Sequence, residues 1–137
     1  GDHIAYLEQY MEAFPQMTVF GHPESTTLSS LASFHSVTQD MGINVGQLEF
    51  KAIHTPGHYY DSICYQLNSA LFTGDTLFHG SIGRSDMPGG YGRLLVHGIM
   101  PRLMVLPADT KVYPGHGPDT TIAQEKLTNP FSMSGLV

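Results

Sequence analysis

Three stretches of the chain end alike. "FKAIHTPGH" is an apolar run, then Pro-Gly, then His58; "ALFTGD" is an apolar run, then Gly, then Asp75; "KVYPGHG" is an apolar run, then Pro-Gly, then His116 and another Gly. Each sets a nitrogen or oxygen donor just past an expected strand, on a turn that holds the backbone while the side chain converges with others. Metal centres need several such donors fixed on rigid elements. Nitrogen and oxygen donors without thiolates favour zinc, manganese or iron over a cysteine-based structural zinc site. Singly, a His after Pro-Gly is an ordinary turn residue and a Gly-Asp an ordinary turn or helix cap. Three strand-end donors in one small domain outweigh that reading.

The elements that must position these donors follow from the pattern. Ile4, Leu7, Tyr10, Met11 and Phe14 recur at helical spacing, and Pro15 ends the run. "MTVFGHP" reads as a short strand entering a turn. "STTLSSLASFHSVTQDMG" has Leu28, Leu31 and Phe34 at helical spacing, which predicts a helix stopped by Gly42. In "QLEFKAIH", Leu48, Phe50 and Ala52 alternate with Glu49, Lys51 and Ile53, which predicts a strand with one buried face. "SICYQL" and "ALFT" flank Asn68-Ser69 as a hairpin. A Gly-rich loop follows from Gly80 to Gly92, then "RLLVHGIMPRLMVL", a helix that Gly98 and Pro101 should kink or restart. "TKVYP" is a further strand. A last helix is expected to be capped at Asp119 or Thr120 and stopped by Asn129-Pro130.

The chain has 137 residues, enough for one domain with a real core, and no repeat or linker divides it. Charged residues make up 13%, well below the roughly 25% of ordinary soluble domains. A net charge of -6 with only 6 Lys and Arg argues against a nucleic-acid partner. The single cysteine, Cys64, excludes an intrachain disulfide and suits a reducing, cytoplasmic setting; it is expected to be a small buried hydrophobe. No run is long enough to span a membrane. The eight histidines outnumber Lys and Arg together. Nucleophile-elbow, P-loop and dinucleotide signatures are missing.

"HTPGH", "LFTGDTLF", "GSIGRSDMPGG" and "VYPGHGPDTTIAQEKLTNPF" together resemble the metallo-β-lactamase superfamily and, within it, the glyoxalase II-like (hydroxyacylglutathione hydrolase-like) hydrolases. The resemblance implies an α+β fold: residues 1–137 as the later part of an αββα sandwich, lacking the N-terminal part of the domain. The hallmark H-x-H-x-D-H of that family stands at a strand end before a helix. Asp2 and His3, directly before the first helix, correspond to its final D-H, and the two preceding histidines are not in this sequence.

By the same resemblance, His58 serves a first metal ion, Asp2, His3 and His116 a second, and Asp75 bridges them. Two zinc ions are implied per complete site, with iron or manganese as alternatives. The implied reaction is hydrolysis of a small thioester or ester by a hydroxide generated at the metals, with Asp2 and Asp75 in the catalytic set. Each coordinating His must be neutral, so activity should fall at low pH. Arg84 either binds an acidic substrate group or pairs with Asp86 to hold the loop, and the pairing is favoured. His54 reads as an outer residue orienting the ligands or as a turn histidine. His79 is read as a solvent-exposed loop residue and His22, His35 and His97 as non-ligands. Tyr59, Tyr60 and Asp61 stand where relatives carry a smaller turn and would reshape the site edge. Met100 and Met104 are read as core filler.

A persulfide dioxygenase-like iron enzyme, with a similar "GR-S/T-D" loop, is an alternative reading, and a catalytically inactive fragment is another. The expected partner is a small-molecule substrate, with no nucleic acid and no membrane. Exposed strand edges would invite association with a further chain, a second copy included.

Overall fold

The computed structural model describes residues 2–132, and the chain divides into two units, Gly1–Val37 and Thr38–Val137. In the first, a 3-10 turn over Asp2–Ile4 precedes helix α1 (Leu7–Ala13), on which Leu7 and Met11 are half-buried. Strands β1 (Val19–Gly21) and β2 (Phe34–Ser36) pair in parallel, with Val19 opposite Phe34 and Gly21 opposite Ser36. The helix expected from Leu28, Leu31 and Phe34 does not form; residues 25–33 are a chain of turns leading into β2. The Ser/Thr-rich stretch explains the difference. Hydroxyls such as that of Ser30, which donates to the Thr27 carbonyl, offer the backbone local alternatives to helical bonding. Gly42, expected as a helix stop, instead opens β3.

The second unit is built on a six-stranded mixed sheet. Its strands are β3 (Gly42–Val45), β4 (Leu48–His54), β5 (Ile63–Leu67), β6 (Ala70–Gly74), β9 (Lys111–Pro114) and β10 (Thr120–Thr121), in spatial order β10-β9-β6-β5-β4-β3. The hairpin at Asn68-Ser69 is as expected: Leu67 pairs with Ala70, and Asn68 takes the left-handed φ of 51° that asparagine tolerates. In β4 the expected single buried face is wrong. Leu48 is exposed, whereas Ala52 and Ile53, on opposite faces, are both buried. The far end of the strand, next to the donors, is covered on both sides, and alternation fades where both faces are covered.

Beyond β6, the short strands β7 (Leu77–Phe78) and β8 (Ser81–Ile82) form a hairpin. The expected kinked helix is a three-part run: α2 (Gly92–Leu94), a π-helical stretch (Leu95–Ile99) and α3 (Met100–Met104), with Pro101 in the first turn of α3. The backbone is helical on both sides of the junction, so Pro101 forfeits one helical hydrogen bond, and the change from π to α spacing falls directly before it. Leu95, Ile99 and Leu103 recur every four residues, and the wider π turn helps carry such spacing on one face. Helix α4 (Ile122–Thr128) is capped by the Thr121 hydroxyl, which accepts from Gln124 N–H at 3.1 Å, one residue beyond the expected cap. These helices bury Leu95, Ile99, Met100, Leu103, Met104 and Ile122 with Ile53, Cys64, Leu71, Leu77 and Val112, so the methionines and Cys64 are core residues as expected. Each fully buried Leu or Ile contributes about 2 kcal/mol. Among the described residues no helix is long and apolar enough to cross a membrane.

Candidate metal centre

Strands β4, β6 and β9 run in the same direction: β5 is antiparallel to both β4 and β6, and β9 is parallel to β6. The turns that follow them therefore leave one edge of the sheet, and these turns carry His58, Asp75 and His116. Local chemistry shapes each turn. The register of β6 against β9 shifts at Phe72/Gly74, Gly74 adopts φ 49°, and its carbonyl accepts from Gly115 N–H at 2.6 Å, joining the turns of Asp75 and His116. Thr55 and Thr76, both buried, bring their hydroxyls to 3.3 Å and so link the turn of His58 to that of Asp75. Neither threonine carried a signal in the sequence reading.

The three side chains converge. His116 Nδ1 lies 2.7 Å from Asp75 Oδ1, and His58 Nε2 lies 3.6 Å from Asp75 Oδ2, so an imidazole stands at each carboxylate oxygen. Asp75 is largely buried and His116 half exposed, at 14% and 55% side-chain exposure, which leaves the group open from one side. His58 Nδ1 is 2.6 Å from the Arg84 carbonyl. A carbonyl can only accept, so Nδ1 donates to it, and Nε2 is the ring nitrogen that faces Asp75. By type the donors, two imidazole nitrogens flanking one carboxylate, suit divalent cations, and a carbonyl stands behind one histidine in the usual outer role.

Close backbone approach is the second device. A Cβ on Gly83 would run into the Asp75 carbonyl and stand 3.1 Å from His58 Nδ1. On Gly57 it would lie 2.6 Å from Leu95 Cβ, so the π-helical stretch rests directly on the "TPGH" turn, and Gly57 O accepts from Tyr91 N–H at 2.7 Å.

The remaining expected residues fall as follows. Arg84 forms a two-pronged pair with Asp86, Nε–Oδ1 2.8 Å and Nη2–Oδ2 3.0 Å, both side chains exposed. The carboxylate raises the guanidinium's already high pKa, and the guanidinium holds Asp86 below the usual carboxylate range. His54 closes the 54–60 turn by a 3.0 Å bond between Nε2 and the Tyr60 carbonyl. The Tyr59 and Tyr60 rings, next in sequence to His58, meet at a tilt of 36° with centroids 4.6 Å apart. His79 is exposed at the β7–β8 turn, His97 lies in the π stretch, His35 contacts Phe20 at 5.7 Å, and His22 Nδ1 accepts from Glu24 N–H at 3.2 Å. Asp2 and His3 belong to the first unit, where Asp2 Oδ2 and His3 Nε2 are 3.9 Å apart.

Comparison with known proteins supplies the family. Residues 2–116 match the family described as the metallo-beta-lactamase superfamily. The probable metallo-hydrolase M6_Spy0554 of Streptococcus pyogenes serotype M6 is 45% identical over 154 residues, covering 95% of this chain and 66% of that protein. Hydroxyacylglutathione hydrolase GloC of Haemophilus influenzae is 43% identical over 84 residues, covering 60% of this chain and 40% of that protein. The crystal structure of TTHA1623 in a di-iron-bound form superposes with TM-score 0.83 at 31% identity, covering 95% of this chain and 72% of that one. The chain spans less than half the length of several curated relatives it matches. With the family match over most of the chain and the strand-end donors in place, the chain belongs to the metallo-beta-lactamase superfamily.

Proposed function

We propose that this chain belongs to a metal-dependent hydrolase acting on a small thioester or ester, in the manner of the glyoxalase II-like members. The observation that carries the reading is the Asp75 carboxylate with an imidazole at each oxygen. When bound, divalent ions supply an acidified water and polarise a scissile carbonyl. The chain's own residues do the positioning. His58 holds a proton on Nδ1 against the Arg84 carbonyl and keeps Nε2 as a donor. Asp75, with one oxygen toward each histidine, is placed to bridge. Asp2 and His3 are proposed as donors alongside His116 from their place before the first helix in the sequence. Arg84 and Asp86 brace the loop after Asp75, and Tyr59 and Tyr60 are proposed to line the substrate's approach. The thioester class rests on the likeness to GloC, and the buried Cys64 suits a cytoplasmic, reducing setting.

Zinc is the proposed metal. Iron is the second reading, favoured by the di-iron-bound neighbour; a mononuclear iron site would go with a persulfide dioxygenase-like activity, which rests on the similar GR-S/T-D loop at Arg84–Asp86. Elemental analysis of the purified protein and of Asp75→Ala and His116→Ala, with a thioester hydrolysis assay, tests the proposal. Expected are about one or more zinc equivalents per chain, lost in both variants, and hydrolysis that follows metal content. Iron with oxygen consumption instead would select the second reading, and no metal in the unaltered protein would overturn the site.

A further inference from the structure

We infer that Glu125 is a positioning residue for the two site histidines, acting from helix α4 through the turn between β7 and β8. This goes beyond the function proposed above and rests on its reading of His58, Asp75 and His116 as a metal site.

Glu125 is fully buried, an unusual place for a carboxylate unless its oxygens are satisfied. Here they are. Oε1 accepts from Gly80 N–H at 2.6 Å and from Asn129 Nδ2 at 3.0 Å, and Oε2 accepts from the Thr120 hydroxyl at 2.7 Å. Asn129, also fully buried, donates from the same Nδ2 to the Ser81 carbonyl at 3.1 Å. Two side chains four residues apart, Glu125 on α4 and Asn129 at its C-terminal cap, thus hold one N–H and one C=O of the same turn. They approach from 45 and 48 residues away in sequence.

Both ends of the held segment meet the site. On the near side, Phe78 sets its ring edge-on to His116, centroids 6.1 Å apart. On the far side, β8 runs into Gly83, whose N–H bonds the Thr76 carbonyl at 3.2 Å, and into Arg84, whose carbonyl accepts from His58 Nδ1. Moving the turn would shift the surface against one imidazole and the acceptor that fixes the tautomer of the other. Thr120 extends the clamp to β10, next to β9, the strand that delivers His116. Buried carboxylate networks of this kind fix geometry as well as stability, because each partner left unsatisfied is costly.

The test compares Glu125→Ala, Glu125→Gln and Asn129→Ala with the unaltered 137-residue chain, well below the melting temperature of each. Zinc affinity is read by competition with a chromophoric chelator. The His58 Nδ1–H is read by ¹H–¹⁵N NMR without metal. Expected in Glu125→Ala is at least a tenfold loss of zinc affinity in folded protein, with the His58 resonance shifted or lost. Asn129→Ala should show a smaller loss in the same direction. Glu125→Gln should recover affinity to within about threefold, since its amide oxygen can still accept from Gly80 while the Thr120 hydroxyl turns to accept from its NH2. Folded Glu125→Ala with unaltered affinity and an unaltered His58 resonance would overturn the inference. If Glu125→Ala does not fold, Asn129→Ala decides by the same two readouts. If the unaltered chain binds no zinc, the metal reading falls, and the His58 resonance still decides whether Glu125 orients that ring.

Discussion

The contacts that orient His58 and Asp75 come from backbone as much as from side chains. Gly83→Ala has no room: its methyl would meet the Asp75 carbonyl, so either the β8 end or the Asp75 turn must move. We expect a stability loss of about 2–4 kcal/mol together with loss of bound zinc, measured by thermal melting and elemental analysis. At Gly46, φ is 60° and a Cβ would meet nothing within 4 Å, so Gly46→Ala should cost only the left-handed penalty, about 1 kcal/mol, with zinc retained. Cys64 gives a pH test. Burial pushes its thiol up to about 11, against the pull of hydrogen bonds from Thr55 and Thr76, and burial also raises Tyr65. Below about pH 9 folded and unfolded chains both keep the thiol proton. Above it the unfolded chain ionises first, so stability on the order of 2–3 kcal/mol is lost as pH climbs toward 11. Urea unfolding across that range should show the slope in the unaltered chain and a shallower one in Cys64→Ala. Donor types were legible in the sequence because each is local: a turn residue, then a ligand. The Gly83 approach and the Arg84 carbonyl were not, because any residue type offers a carbonyl.

The elements differ in how far their residues announced them. Thr121 caps α4 while Thr120, one position earlier, donates into the Glu125 clamp, a division of labour between neighbours that identical residue types conceal. Thr121→Ala should therefore cost about 1 kcal/mol in melting experiments and leave zinc affinity unchanged. Thr120→Ala should weaken zinc binding. The three-part helical run was foreshadowed by Gly98 and Pro101, since a proline without an N–H forces some break. The π stretch starts at Leu95, which rests against Gly57, a contact between residues 38 positions apart that no local pattern announces. The unformed helix after His22 shows the opposite failure: three apolar residues at the right spacing could not outweigh the surrounding Ser and Thr.

For the molecule as a whole, the buried apolar cluster lies entirely in Thr38–Val137, whereas the buried hydrophobics of Gly1–Val37 are Val19 and Val37. Native-state hydrogen exchange should follow this division: slowest in β4, β5 and β6, faster by at least two orders of magnitude in α1 and β1. Uniform protection across both units would contradict it. The aromatic row of Phe50, Phe72 and Tyr113, with ring centroids 6.2 and 5.4 Å apart, was not foreseen, since it joins strands distant in sequence. The common direction of β4, β6 and β9 has a practical corollary. His58, Asp75 and His116 leave one edge of the sheet, so the hairpin tips at Gly46-Gln47 and Asn68-Ser69 belong to the opposite edge. Those tips are natural anchor points: a fluorophore, a surface tether or an inserted peptide placed there would report on or immobilise the protein while the reactive edge stays facing the solution.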